Sequence, residues 1–148
     1  PFLVRWPGVV EAGSVSDALI SQIDLMATLA ATLDVTLPPD QAGDSVNQLP
    51  VWLGEADATR EALVHNTFAG QYALRHGDWV YIDSPNGYGG RMRDEAGARE
   101  RREGYEDDAL PVELFHLGFD LSQRHNLAGD LPGKVHSMQA TLEEIRGE

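Results

Sequence analysis

The chain has 148 residues, a formal net charge of −13, no cysteine and a single lysine, Lys134. Proteins that bind nucleic acid or anionic membranes neutralise phosphates with clustered lysine and arginine, so we expect neither kind of partner for this acidic chain. The missing cysteines exclude disulfides and thiolate metal sites, and no run approaches the roughly 18 apolar residues of a membrane span.

The N-terminal third is predicted to contain a short strand followed by a helix. Phe2–Trp6 has the residues of a strand and ends at the turn pair Pro7-Gly8. Asp24 stands where an N-cap would begin a helix over Leu25 to Leu33. Because leucines recur every four residues along this helix, we expect that face to be buried.

A second, shorter helix is predicted over Val46 to Leu53. Its apolar residues have the spacing of one helix face, although Pro50 lies within it.

Strands dominate the next segment, from Ala62 to Asp83, which is rich in β-branched and aromatic residues. We interpret it as a lead-in strand followed by a tight hairpin. The turn is predicted at Gly77-Asp78, because hairpin connections need residues that tolerate positive φ.

A long connection is predicted over residues 84–110. It has many charged and few apolar residues, and such a composition is typical of a solvated, mobile loop. Two alternatives remain open: a plain surface excursion, which the ordinary behaviour of long loops favours, and a cover that faces a substrate.

The chain is predicted to end with a strand and a helix. Val112 to Leu117 has strand-like residues. Asp130 is the expected cap of the helix, and Pro132 suits its first turn. The predicted buried face of this helix has four members: Val135, Met138, Leu142 and Ile145.

No complete active site can be assembled from these residues alone. The five histidines have no zinc-type spacing, no Gly-x-Ser-x-Gly motif is present, and 24 acidic residues offer too many chance pairs to single out two. His65, beside Asn66 at the end of a predicted strand, is the histidine placed where a loop could face a cleft. The alternative, a structural role for His65 with its polar atoms satisfied, is the one that the residues alone favour.

Three groups of motifs, in this order, resemble the C-terminal part of the sulfatase family, within the alkaline-phosphatase-like superfamily. The first group is a strand, a Trp-Pro-Gly turn and an Asp-Leu-x-Pro-Thr helix, and it falls at residues 1–8 and 21–29, with Ala27 in place of the usual proline. The second is a Tyr-Ala-x-Arg-x-Gly-x-Trp hairpin at residues 72–79. The third is a Glu-Leu-Tyr-Asp-Leu strand before Asn-Leu-Ala, at residues 113–128, with His116 in place of the aspartate.

The resemblance implies an α+β fold: a small antiparallel sheet with a C-terminal helix packed on it, preceded by a strand-helix remnant of the larger α/β domain. Residues 1–58 would close that large domain, and residues 59–148 would form the C-terminal sheet subdomain. Since the chain begins on Pro1 without Met or a signal-peptide pattern, we expect it to be part of a longer polypeptide.

The resemblance also implies where the chemistry lies. Sulfatases cleave sulfate esters with a formylglycine made from Cys or Ser, beside a calcium ion, and the motifs for both lie upstream of this region. No catalytic or metal residue is therefore carried over, and this chain alone is predicted to be inactive. Calcium and formylglycine are expected only in the full-length parent.

What the resemblance assigns to this chain is structural support and part of the substrate-cleft wall. His65 and Asn66 are the residues predicted to contact substrate. The expected partners are the N-terminal catalytic part of the same polypeptide, a sulfate ester or sulfated glycan for the parent, and a second copy through apolar surface left exposed on the Leu25 to Leu33 helix.

Two alternative functions remain open. The chain could be the tail of a related phosphodiesterase or phosphonate hydrolase, or a free-standing module that binds glycan or protein. The family resemblance is compatible with a periplasmic or secreted parent.

Overall fold

The computed structural model describes residues 2–66, 70–84 and 110–147, which form two compact units, Pro1–Glu61 and Ala62–Glu148. Nearly all of the loop predicted at 84–110 lies outside the described residues. None of the described helices has the length and hydrophobicity of a membrane-spanning segment. That residues 1–58 close a larger α/β domain stays a prediction.

The first unit contains a 3₁₀ turn, Gln22–Asp24, which leads directly into helix α1, Leu25–Thr32. The predicted helix is confirmed to within one residue. Its predicted burial is wrong, because Leu29 is 50% exposed and Leu33 is 71% exposed, while Thr28 and Ala30 on another side are buried. Helix α1 therefore packs in this unit through its small and polar side.

The exposed side of α1 is the apolar surface expected from the family resemblance. It continues at both ends of the helix, so that a stripe of large apolar side chains faces solvent. The members of this α1 stripe are Ile23, Met26, Leu29, Leu33 and Val35.

Helix α2, Leu49–Trp52, is shorter than the helix predicted over Val46 to Leu53. Pro50 lies in its first turn, where the missing N–H costs no helical hydrogen bond. The strand predicted at Phe2–Trp6 is absent from the described residues, although the ring centroid of Phe2 lies 5.9 Å from that of Trp52. A strand needs a neighbour to pair its backbone groups, and no described strand lies beside this segment.

The second unit is built on a four-stranded antiparallel sheet with the strand order β1-β2-β3-β4. The strands are β1, Ala62–Asn66; β2, Tyr72–His76; β3, Trp79–Ile82; and β4, Glu113–His116. The predicted lead-in strand, hairpin and final strand are thus confirmed. Gly77 has φ of +58° at the first position of the two-residue hairpin turn, the place where a II′ turn needs glycine.

Helix α3, Pro132–Arg146, covers one face of this sheet. Cross-strand pairing aligns Leu74, Tyr81 and Leu114 in one row, and Met138 and Leu142 of α3 pack onto that row to form the core. All five side chains are almost completely buried. The predicted α+β fold is therefore confirmed, with the C-terminal helix packed on the sheet.

Two details of α3 differ from the sequence-based expectation. Leu131 rather than Asp130 precedes the helix, and no side chain caps it, because leucine has no acceptor atom to offer the first N–H groups. Ile145, predicted on the buried face, is 50% exposed near the helix end at Gly147, which has φ of +73°.

Candidate functional site

His65 and Asn66 lie at the end of β1, which is an edge strand of the described sheet. Both side chains are exposed. They directly precede residues 67–69, which lie outside the described residues. The position at a strand end agrees with the prediction from sequence, while the predicted contact with substrate stays a prediction.

The two side chains do not share a face of the sheet, because successive residues of a strand alternate between its faces. Asn66 follows Ala62 and Val64, which pack toward the core under α3, and it pairs with Tyr72. His65 pairs with Ala73 on the opposite face. A single small group therefore cannot be held between them without a bend at the strand end.

The surroundings of the two residues differ in charge and chemistry. On the helix-covered face, the Arg146 guanidinium lies 3.6 Å from the centroid of the Tyr72 ring, next to Asn66 in the register. On the other face, the diagonal neighbour of His65 is Arg75, whose Nε donates to the Gly77 carbonyl at 3.3 Å. Arg146 thus lies beside the cross-strand partner of Asn66, whereas the Arg75 side chain is directed toward Gly77 in the hairpin turn.

A buried carboxylate that the sequence did not reveal lies in the first unit. Asp24 is 1% exposed and accepts five hydrogen bonds from nitrogen atoms. The backbone N–H groups of Ser21 and Val46 donate at 2.9 and 3.0 Å, and Gln48 Nε2 donates at 3.1 Å. Arg60 completes the set, with Nε donating at 3.1 Å to Oδ2 and Nη2 donating to Oδ1.

Further hydrogen bonds extend this cluster. Thr28 Oγ1 donates to the Asp24 carbonyl at 2.7 Å and accepts from the Gln48 N–H at 2.9 Å. Thr59 Oγ1 donates to Gln48 Oε1 at 2.7 Å, and Arg60 Nη2 donates to the Asp44 carbonyl at 2.6 Å. The cluster ties together three stretches of chain, which we call the Asp24 clamp: residues 21–28, 44–48 and 59–60.

The electrostatics of the clamp favour an ionised Asp24. Burial alone would raise the pKa of this carboxyl. Three kinds of contact outweigh burial and hold the pKa below its usual value: the hydrogen bond from Arg60, the backbone hydrogen bonds from Val46 and Ser21, and the positive charge of Arg60. Asp24 is the N-cap residue of α1, as the sequence predicts, but its side chain makes no cap bond to that helix and accepts the hydrogen bonds of the clamp instead. Arg60 lies 36 residues away, and no short-range pattern links the two.

The described residues do not provide a donor set for the calcium site that the family resemblance implies for the parent. Among residues 2–66, 70–84 and 110–147, no three His, Cys, Asp or Glu side chains are close enough together to hold a metal ion. Asp24, the buried carboxylate of this part, is surrounded by nitrogen donors, and these occupy the lone pairs that a cation would need.

No family model matches the chain. The chain is similar to an N-acetylgalactosamine-6-O-sulfatase of Bacteroides thetaiotaomicron, with 34% identity over 99% of this chain and 27% of that protein. It is also 47% identical, over 36% of its length, to 10% of the human N-acetylgalactosamine-6-sulfatase. A solved structure from a study of glycosaminoglycan metabolism by Bacteroides thetaiotaomicron matches all of this chain and 29% of its own, with 30% identity and a TM-score of 0.78.

The fold defines an α+β region, with a small antiparallel sheet and a C-terminal helix packed on it. The matches fall in the C-terminal part of longer enzymes, and the chain spans 27% of the length of the bacterial relative. The chain is homologous to the C-terminal region of sulfatases. The comparisons do not favour the alternatives, a phosphodiesterase tail or a free-standing module.

Proposed function

We propose that the polypeptide to which this chain belongs hydrolyses sulfate esters, and that this region supplies structural support and part of the wall of the substrate cleft. The observation that carries the proposal is similarity over 99% of the chain to an N-acetylgalactosamine-6-O-sulfatase. Calcium and formylglycine would be supplied by the upstream part. The substrate class that fits the relatives' names is a sulfated amino sugar.

The proposed partner of the α1 stripe is the upstream catalytic part of the same polypeptide. Five large apolar side chains in and beside α1 are about half exposed there, and burying the rest of each would stabilise a contact by about 1 kcal/mol. A patch of this kind promotes association when it is left uncovered. The 148-residue chain alone is therefore expected to form dimers or larger species, which light scattering after gel filtration would detect.

His65 and Asn66 are the proposed substrate contacts. Both are exposed polar side chains at the end of an edge strand, and the Arg146 guanidinium lies on the ring of Tyr72, the cross-strand partner of Asn66. Because they lie on opposite faces, the two are expected to contact different parts of the substrate. His65 can donate or accept a hydrogen bond, and Asn66 can do both.

The test compares the longer polypeptide with the 148-residue chain on a chromogenic aryl sulfate and on N-acetylgalactosamine 6-sulfate. The longer polypeptide should release sulfate and the short chain should not. A longer polypeptide that folds, carries formylglycine and still hydrolyses neither ester would refute the proposed activity.

The roles of the site residues are tested in that longer polypeptide. His65→Ala and Asn66→Ala should each raise KM or lower kcat for the sugar sulfate while the melting temperature stays unchanged. His136→Ala is the matched control, because this exposed histidine lies on α3 away from the strand end. Unchanged kinetics with a lower melting temperature would assign a structural role instead.

A further inference from the structure

Four side chains form a continuous row at the hairpin end of the sheet, the end opposite to His65. Lys134 Nζ lies 5.0 Å from the centroid of the Trp79 ring, the Trp79 and His116 rings lie 4.5 Å apart edge to face, and the His116 and Phe119 rings lie 4.6 Å apart. We call these four residues the aromatic row. It combines one cation with three rings on the same side of the molecule.

The backbone that carries Phe119 is fixed by hydrogen bonds. The N–H groups of Phe119 and Asp120 donate to the His116 carbonyl at 3.1 and 2.9 Å. Asp120 Oδ2 accepts from the N–H groups of Arg124 and His125 at 2.6 and 2.9 Å. These bonds hold a bulky apolar ring at the surface, where it is 91% exposed.

Gly118 brings the turn close to His116. A Cβ at this position would lie 3.0 Å from His116 Cε1 and 3.2 Å from His116 Nδ1, which leaves no room for a larger residue. The same Cβ would lie 3.4 Å from Asp78 Oδ2, so a carboxylate borders the row. His116 Nδ1 is buried under this turn and has no hydrogen-bond partner among the described residues.

The size of the surface limits what it can bind. Beside Phe119, the exposed apolar residue of this loop is Leu121, which is 80% exposed. A stable protein interface needs about 800 Å² on each partner, far more than one phenyl ring and one isobutyl group provide. One sugar ring, whose C–H face is apolar, covers about the area of one aromatic side chain.

We propose that the aromatic row binds a short sulfated oligosaccharide. One sugar ring stacks on the open face of Phe119, with a hydroxyl donating to the Asp78 carboxylate, and the sulfate of a neighbouring sugar unit is attracted by the Lys134 ammonium at the other end of the row. Lys134 is the only lysine in a chain of net charge −13, and it is held against this row. The proposal rests on the proposed function, since it takes the ligand to be of the substrate's class.

The test measures binding directly, without turnover. The chain is labelled with ¹⁵N and titrated separately with a tetrasaccharide that contains N-acetylgalactosamine 6-sulfate and with its unsulfated counterpart, following the indole N–H of Trp79 and the backbone N–H of Phe119. Both signals should shift with saturable dependence on the sulfated sugar. Phe119→Ala should weaken this binding roughly two- to tenfold, as expected for loss of one aromatic contact.

Lys134→Gln should weaken binding of the sulfated sugar by about two- to fivefold and leave the unsulfated sugar unaffected, because an exposed charge pair contributes modestly. Leu121→Ala is the control for general loss of apolar surface and should change little. Absence of saturable shifts at Trp79 and Phe119, or equal weakening by Leu121→Ala and Phe119→Ala, would overturn the proposal.

The two proposals fail in different ways. If the longer polypeptide hydrolyses sulfate esters and the aromatic row shows no saturable shift, the proposed row is refuted and the proposed activity stands. If the row binds the sugar but the polypeptide releases no sulfate, the activity is refuted instead.

Discussion

Replacing Asp24 with asparagine tests the Asp24 clamp with almost no change of shape. Five nitrogen donors surround the carboxylate, so the amide NH₂ of asparagine would face a donor whichever way it turned. The change also removes the negative charge beside the Arg60 guanidinium, which is itself only 10% exposed.

The expected loss is large relative to the stability of the first unit. Removing one partner of a buried ion pair typically costs about 3–5 kcal/mol. A core of fewer than about 70 residues rarely supplies more than roughly that amount, and this unit has 61 residues. Asp24→Asn is therefore expected to unfold residues 1–61, or to bring them close to unfolding.

Hydrogen exchange is the suitable measurement because it resolves single amides. The N–H groups of Val46 and Gln48, which donate to Asp24 and Thr28, should lose protection, while Leu114 in the sheet keeps its own. Asp17→Asn is the matched control, since Asp17 is exposed in the same unit and should change stability by less than about 0.5 kcal/mol.

A double variant separates the charge pair from general damage. Asp24→Asn with Arg60→Met should lose less than the sum of the two single changes, because neither charge is then left without the other. If Asp24→Asn costs less than about 1 kcal/mol at Val46 and Gln48, the reasoning about the clamp is refuted.

The stability that Asp24 contributes to the fold should decrease in acid. The pKa of Asp24 is lower in the folded chain than in the unfolded chain, where it is about 3.9, so the carboxylate stabilises the fold fully above about pH 4. This stabilisation is lost as the pH falls through the folded-state pKa. The stability difference between the wild type and Asp24→Asn should accordingly shrink below pH 4.

Three further changes test the second unit by chemical denaturation. Gly118→Ala should cost about 1–3 kcal/mol, because the new methyl group would lie 3.0 Å from His116, whose ring is held between two other rings. Asn126→Ala should cost at least about 2 kcal/mol, since this amide makes three hydrogen bonds to the backbone around β4. Asn126→Asp keeps both acceptor bonds and should cost less than Asn126→Ala, which tests this assignment. Leu142→Ala should cost about 2–5 kcal/mol, and Ile145→Ala, half-exposed on the same helix, should cost far less; equal losses would contradict the packing described for α3.

The sheet could be predicted because its signals are local. Aromatic and β-branched residues surround Gly77-Asp78, and a two-residue turn with glycine determines which residues of β2 and β3 pair. The last helix was predictable for the same reason, since Met138 and Leu142 follow one face over a long segment. The family resemblance supplied the place of these elements in a larger enzyme.

What sequence reasoning missed depends on distant contacts. The leucines of α1 have the spacing of a buried face, but spacing does not reveal that Thr28 and Ala30 are the buried residues of this unit. Asp24 has a residue type suited to an N-cap, and its true partner Arg60 is remote in sequence. His65 and Asn66 were correctly placed at a strand end, yet their opposite faces emerge only from the strand register.

The burial of Asp24 and Arg60 has a consequence for the response to ionic strength. Dissolved ions screen exposed charges strongly and buried pairs much less, so added salt should leave the clamp almost intact. The remaining charge is predominantly negative, and repulsion among exposed carboxylates opposes the compact state. Moderate salt is thus expected to relieve the repulsion and to raise the melting temperature, in contrast to proteins whose stability depends on surface ion pairs.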